Sequence, residues 1–271
     1  MRSNKNTILI VCLFLFTKFF IEVITSTISG VAIILLKNDT LELTVEYVQE
    51  LVYENIITIN IISKIVLLLI ILFYILARYK SIKNDLRFKG YYKGSNLILF
   101  SSAFSLSLIV TGIFYLLPKD ILNLYLEQNN LLIENNHLLF IIFTLIIKSI
   151  VEELFYRGII FNEIKKSYPV TKAIVLASFI YGYTNSNFLW LIYTLIFGMY
   201  MCYLYEKTDS FNAVVIYHVV FNIANLICGK LIVIATYMPY ILLIVGFICF
   251  YLNHLRINEQ FKRTVIENNL K

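Results

Sequence analysis

Glycine and proline are scarce in this chain, 9 and 3 residues among 271, which excludes a collagen-like repeat and a Pro/Gly-rich disordered chain. Cysteine is equally sparse. All four (Cys12, Cys202, Cys228 and Cys249) stand inside apolar segments without CxxC spacing, so they provide neither a disulfide framework nor a redox or zinc motif. They read as small packing residues. Histidine occurs three times and no HExxH is present, so the helix-borne zinc-protease pattern is missing. No GxSxG is present either, and no serine has an evident histidine and acid partner, which sets aside a serine-hydrolase site. Internal repeats, low-complexity tracts and a linker long enough to separate one domain from another are also lacking.

What is plentiful is apolar surface. The chain is 59% hydrophobic with a mean hydropathy of +0.78, too apolar for a soluble domain. Its apolar stretches run unbroken for about 20 residues, where barrel strands would alternate over about 10. The expected fold is therefore all-α: a polytopic transmembrane helix bundle of about eight spans, at roughly 7–36, 56–77, 96–117, 138–164, 170–184, 188–205, 211–228 and 231–252. The fifth is too short to cross alone and needs shielding by neighbours. Along the chain this gives N-terminal spans over 1–137, a core over 138–228, and a last span with a basic tail over 229–271.

The net charge is +6. The basic residues lie in short loops, not interleaved with exposed aromatics on one face, so the lipid bilayer is the expected partner and nucleic acid is not. Between Arg78 and Lys93 stand Arg78, Lys80, Lys83, Arg87, Lys89 and Lys93 against Asp85 alone, which puts that loop in the cytoplasm. By alternation Arg2 and Lys5, Lys165 and Lys166, and Arg256, Lys262 and Arg263 fall on the same side. The acidic stretch with Asp39, Glu42, Glu46, Glu50 and Glu54 falls outside. The expected location is a plasma membrane of bacterial type, with both termini cytoplasmic. The first apolar stretch contains Lys18 and Glu22 and lacks a small-residue cleavage site, so it reads as a retained span.

Against this background the polar side chains inside spans stand out, because they are expensive in lipid and mark function by default. Glu153 and Arg157, Tyr181 and Asn185, and His218 and Asn222 are each four residues apart and so share a helix face. At about 1.5 Å per residue, Glu152 and Glu153 lie roughly 20 Å into the fourth span. Neighbours on a helix point about 100° apart, so the two carboxylates cannot use one partner. Glu153 precedes Arg157 in the favourable order and reads as its ion-pair partner. Glu152 is then the candidate general base, with Lys148 one turn before it. Equally open is a structural charge ladder of Lys148, Glu152, Glu153 and Arg157 that fixes helix packing.

His218 and Asn222, with Asn225 one turn further, would suit hydrogen bonds to a developing oxyanion or, equally, interhelical contacts. His137 and His254, at span ends, read as surface residues. Lys18 and Glu22 stand in the poorer Lys-before-Glu order and read as a packing or lipid-headgroup pair. A metal site from Glu152, His218 and Asn222 is disfavoured because Asn is a poor zinc ligand, so neither metal nor cofactor is expected.

At these residues the chain resembles the CPBP family of intramembrane endopeptidases, also called the Abi or CAAX-protease family. Glu152-Glu153-Leu154-Phe155-Tyr156-Arg157-Gly158 is similar to its EExxxR motif with the following glycine. Asp209-Ser210-Phe211 through His218-Val219-Val220-Phe221-Asn222 is similar to its turn, helix and HxxxN motif. The resemblance covers about residues 140–228.

It implies an intramembrane endopeptidase without a metal, acting on a membrane-embedded or membrane-associated peptide or protein. Glu152 would activate the attacking water, and His218 with Asn222 would hold the oxyanion. One departure stands in the middle motif. Where the family has FxxxH, this chain reads Tyr181-Gly182-Tyr183-Thr184-Asn185, and an amide cannot exchange a proton near neutral pH. Losing a positioned acid or base forfeits about 10²- to 10⁴-fold in rate. The alternative is accordingly a non-catalytic relative that serves in bacteriocin immunity or as partner of a membrane sensor. A small-solute transporter would need repeated halves or broken spans, which are not evident.

Overall fold

The computed structural model describes residues 4–37, 44–78, 86–88, 95–120, 122–123, 138–184, 188–231 and 237–269. Every regular element among them is helical: α1 (Asn4–Lys37), α2 (Val45–Glu54), α3 (Ile56–Arg78), α4 (Ser95–Leu116), α5 (Leu138–Glu153), α6 (Val170–Tyr183), α7 (Phe188–Thr208), α8 (Phe211–Leu231) and α9 (Met238–Asn269). After Glu153, α5 continues as a π-helix over Leu154–Phe161 and ends in an α-turn over Asn162–Lys165.

Among the described residues, five helices are long and apolar enough to cross a bilayer: residues Lys5–Leu36, Thr58–Arg78, Asn96–Leu116, Phe211–Gly229 and Met238–Glu259. They support a helical integral membrane protein, and α5 with its continuation, α6 and α7 lie where the other three spans are expected, α6 being shorter than a bilayer crossing. Large apolar side chains such as Phe16, Phe19, Phe73 and Ile244 are exposed, the arrangement expected where the solvent is lipid.

Two local features differ from the sequence expectation. The acidic stretch before α3 holds a helix, α2, because Thr44 caps it: the Tyr47 backbone N–H donates to Thr44 Oγ1 at 3.2 Å, and Glu46 sits in the first turn. Both features stabilise the positive end of a helix. The second is α9, whose helix begins at Met238, with Pro239 at its start, where the missing N–H costs nothing.

The chain forms two compact units. The first comprises Met1–Asp85 and Ile146–Cys202, the second Leu86–Leu145 and Tyr203–Lys271. In the first, α1 packs on α3, and the π segment packs on α6. Thr7 Oγ1 lies 2.6 Å from Ser167 Oγ, tying α1 to the turn after α5.

In the second unit α4 packs on both α8 and α9. A Cβ added to Gly246 would lie 3.0 Å from Ile109 N and Ser105 O, and one on Gly112 would lie 2.9 Å from Pro239 O. Only glycine permits this approach of two helix backbones. Asn253 Nδ2 donates to Ser101 Oγ at 2.7 Å further along the same interface.

The start of α8 is set by a short turn. Asp209 adopts a left-handed φ of 47°, which Asp tolerates better than most residues. Arg87 reaches this turn through Asp209 Oδ1 at 3.1 Å and Glu206 Oε2 at 3.2 Å. The Phe211 backbone N–H, an otherwise orphaned donor of the first turn, donates to Arg87 O at 3.0 Å.

Gly246→Ala is expected to lower the stability of the purified protein by about 1–3 kcal/mol, the usual cost of overpacking. Gly30→Ala, where an added Cβ meets nothing within 4 Å, should not. Thermal unfolding in one detergent compares the two, and equal midpoints would show that α4 and α9 separate freely.

Candidate functional site

The first unit holds the carboxylates. Glu153 ends the α-helical part of α5, and Arg157 lies in the first turn of the π segment. Both side chains are 0% exposed, and Arg157 Nη1 donates to Glu153 Oε1 at 2.9 Å. The same guanidinium reaches Gly198 O on α7 at 3.4 Å and lies 4.9 Å from the centroid of the Tyr181 ring on α6. Gly198 permits this, because a Cβ there would meet Tyr181 Cδ1 at 3.1 Å and Ser178 Cβ at 3.2 Å. Arg157 therefore joins three helices by an ion pair, a backbone hydrogen bond and a cation–π contact.

Glu152 has different surroundings. It is half-buried, and the Tyr181 hydroxyl donates to its Oε2 at 3.0 Å. The Tyr156 ring lies edge-on to Tyr181 with centroids 4.7 Å apart, a favourable aromatic arrangement. Its hydroxyl is 2.7 Å from Thr184 Oγ1, which in turn donates to Tyr181 O at 2.8 Å. Lys148, one turn earlier, is exposed.

A π-helix is uncommon and concentrates at functional sites. Here it begins directly after the two carboxylates and is buried along its whole length. Spacing arguments that assume 3.6 residues per turn do not foresee it, nor the contacts of Tyr156, Thr184 and Gly198, whose partners are distant in sequence. Spacing pairs Tyr181 with Asn185; the structure gives it to Glu152, and Asn185 lies outside the described residues.

The second unit holds the histidine motif. His218 is buried and Asn222, one turn on, is half-buried. The next residue on that face, Asn225, is held by α4, where Ser107 Oγ donates to its Oδ1 at 2.9 Å and Thr111 Oγ1 at 3.3 Å. Beside His218, the buried Tyr217 hydroxyl donates to Ser102 O at 3.2 Å. The rotation of α8 about its axis is thus set by polar contacts on both flanks of the motif. Among the described residues no three His, Cys, Asp or Glu side chains are grouped so as to hold a metal ion. His254, expected at the surface, is half-buried, with Asn258 Nδ2 3.0 Å from its Nε2; His137 lies outside the described residues.

Removing one member of a buried ion pair typically costs about 3–5 kcal/mol, since the other charge is left without compensation. Arg157→Met is expected to destabilise the protein by that order, and Glu153→Gln with Arg157→Met together to cost less than Arg157→Met alone. Denaturation of the three variants measures this, and a double variant no more stable than the single one would remove the ion pair as the cause.

Residues 134–224 match a family model described as Rce1-like, type II CAAX prenyl endopeptidase Rce1-like. No curated protein and no solved structure matches the chain. The matched segment holds both motifs, Glu152 to Gly158 and His218 to Asn222, together with the departure at Asn185. Over residues 134–224, about a third of its length, the chain is similar to the Rce1-like, CAAX-type protease family that its motifs resemble.

Proposed function

We propose that this protein is an intramembrane endopeptidase that hydrolyses a peptide bond of a membrane-embedded or membrane-associated substrate with water activated by Glu152. What carries the reading is the unequal treatment of two adjacent carboxylates. Glu153 is spent on Arg157 at full burial. Glu152 is half-buried and its Oε2 accepts a hydrogen bond from Tyr181, a contact that positions a carboxylate to take a proton from a bound water.

In this mechanism the water attacks the carbonyl carbon as its proton passes to Glu152. The negative charge that develops on the carbonyl oxygen is met by hydrogen bonds from His218 and Asn222. Glu152 then returns the proton to the leaving amine as the C–N bond breaks. Asn185 takes the place of the family's second proton-sharing group. It orients water through its amide without exchanging protons, which slows the reaction. The scheme uses neither a metal nor a cofactor. That same substitution at Asn185 favours the second reading, a non-catalytic membrane protein that binds a peptide or a sensor through the same residues.

Purified protein in lipid, given a membrane peptide that an intact relative cuts, decides between them. Glu152→Gln is expected to abolish cleavage and Asn185→His to raise it by about 10²-fold, the lower end of what a positioned acid or base contributes. If wild type and Asn185→His are both inert while Glu152→Gln still supports the cellular phenotype, the binding reading replaces the enzyme.

The topology proposed is that of the charge distribution: both termini and the Arg78–Lys93 loop face the cytoplasm. A cysteine introduced in that loop, in a chain lacking its own four, should stay unlabelled by an impermeant thiol reagent outside intact cells and react after permeabilisation. Labelling before permeabilisation inverts the topology.

A further inference from the structure

A second group of intramembrane charges lies in the first unit, outside both motifs. Glu22 of α1 accepts from Lys18 Nζ of the same helix at 2.8 Å and pairs through its other oxygen with Lys64 of α3. The three side chains are 14%, 25% and 23% exposed, for Lys18, Glu22 and Lys64 in turn. Two ammonium groups thus share one carboxylate, and in a medium that tolerates no net charge the cluster carries an excess of one cation.

This cluster opens onto a cavity. Lys18 and Glu22 line a groove of about 390 Å³, with Leu15, Phe19, Phe179 and Thr184 among its walls. Phe19 and Phe179 are 63% and 51% exposed, so the groove faces lipid. Thr184 connects it, through the hydroxyl of Tyr156 and the ring of Tyr181, to Glu152.

Depth decides what anion reaches the groove. Lys18 and Glu22 stand near the middle of the 34-residue α1, more than about 20 Å along the axis from either end at ~1.5 Å per residue. The hydrocarbon layer is only about 30 Å thick, and phosphate headgroups remain at its faces. The anion that fits is the terminus of an apolar chain, and a single carboxylate matches the excess cation.

We propose that this groove is a binding site for a carboxylate at the end of an apolar chain, seated on Lys18, with the chain lying between α1 and α6 along Phe19 and Phe179. Two sources share this chemistry, a free fatty acid and the C-terminus of an apolar peptide. The site goes beyond the peptidase reading and does not depend on it.

Binding would be measured in the full-length Glu152→Gln protein in nanodiscs, so that no probe is consumed. The probes are labelled palmitic acid against palmitamide, and one apolar peptide with a free against an amidated C-terminus. An acid is expected to bind about tenfold tighter than its amide, the scale of a charge-assisted hydrogen bond less its desolvation. Lys18→Met should remove that preference while leaving amide binding in place. Glu22→Gln should tighten acid binding, because it removes the carboxylate that competes for Lys18. A cluster that serves only the packing of α1 on α3 gives no such gain.

Discrimination with palmitic acid alone names a fatty acid as the ligand, with the peptide alone a chain end, and with both a site for either. Equal binding of acids and amides, or weaker acid binding in Glu22→Gln, overturns the proposal. Neither result touches the role of Glu152, which the cleavage assay decides separately.

Discussion

The Glu153–Arg157 pair is the contact on which the arrangement of the first unit depends. Each charge would cost several kcal/mol to bury alone, even after the protein relaxes around it. Burial at 0% exposure is therefore offset by the partner charge and by further polar groups that take up other donors. Arg157 finds Glu153 on its own helix, the Gly198 carbonyl on α7 and the face of Tyr181 on α6, while its buried Nε has no hydrogen-bond partner among the described residues. A guanidinium does this where an ammonium does not, because its planar fork serves two acceptors at once and stacks on an aromatic face. One side chain thus contacts both α6 and α7 from the π segment.

The same requirement separates the roles of two carboxylates that are adjacent in sequence. A step of about 100° along the helix turns them to different neighbours. One finds a permanent cation and is held. The other accepts a hydrogen bond from the Tyr181 hydroxyl at 3.0 Å. Tyr181 thus touches Arg157 with its ring and Glu152 with its hydroxyl, so the structural pair and the candidate base are coupled through one aromatic side chain. Tyr156 packs edge-on against its ring and Thr184 donates to its backbone carbonyl.

Sequence alone made the helical membrane class and most span limits legible, since unbroken apolar runs have a single physical reading in a chain this poor in glycine and proline. It also made Glu153–Arg157 and Lys18–Glu22 legible, because contacts one turn apart follow from helix geometry. What stayed hidden has two causes. The π-helix over Leu154–Phe161 leaves no mark in hydrophobic periodicity when every residue in it is buried. Contacts such as Tyr181 with Glu152, 29 residues apart, or Lys64 with Glu22, 42 apart, arise from tertiary packing that no local pattern encodes. For Tyr181 the local pattern points instead to Asn185, its neighbour four residues on.

The helix α8 illustrates how polar residues in a membrane protein serve two ends on one face. Between helices in lipid the hydrophobic effect contributes little to association, and small residues and hydrogen bonds fix the packing instead. Gly112 and Gly246 bring α4 and α9 together by backbone approach. Ser107, Thr111 and Ser102 bind α8 to α4 through Asn225 and Tyr217. With Asn225 and Tyr217 committed to α4, a slip of α8 by one residue would break contacts with Ser102, Ser107 and Thr111 at once. The orientation of His218 and Asn222 on α8 is therefore set by the residues that flank them. Asn225 and Tyr217 carry interhelical contacts on either side of the HxxxN motif and so fix its register.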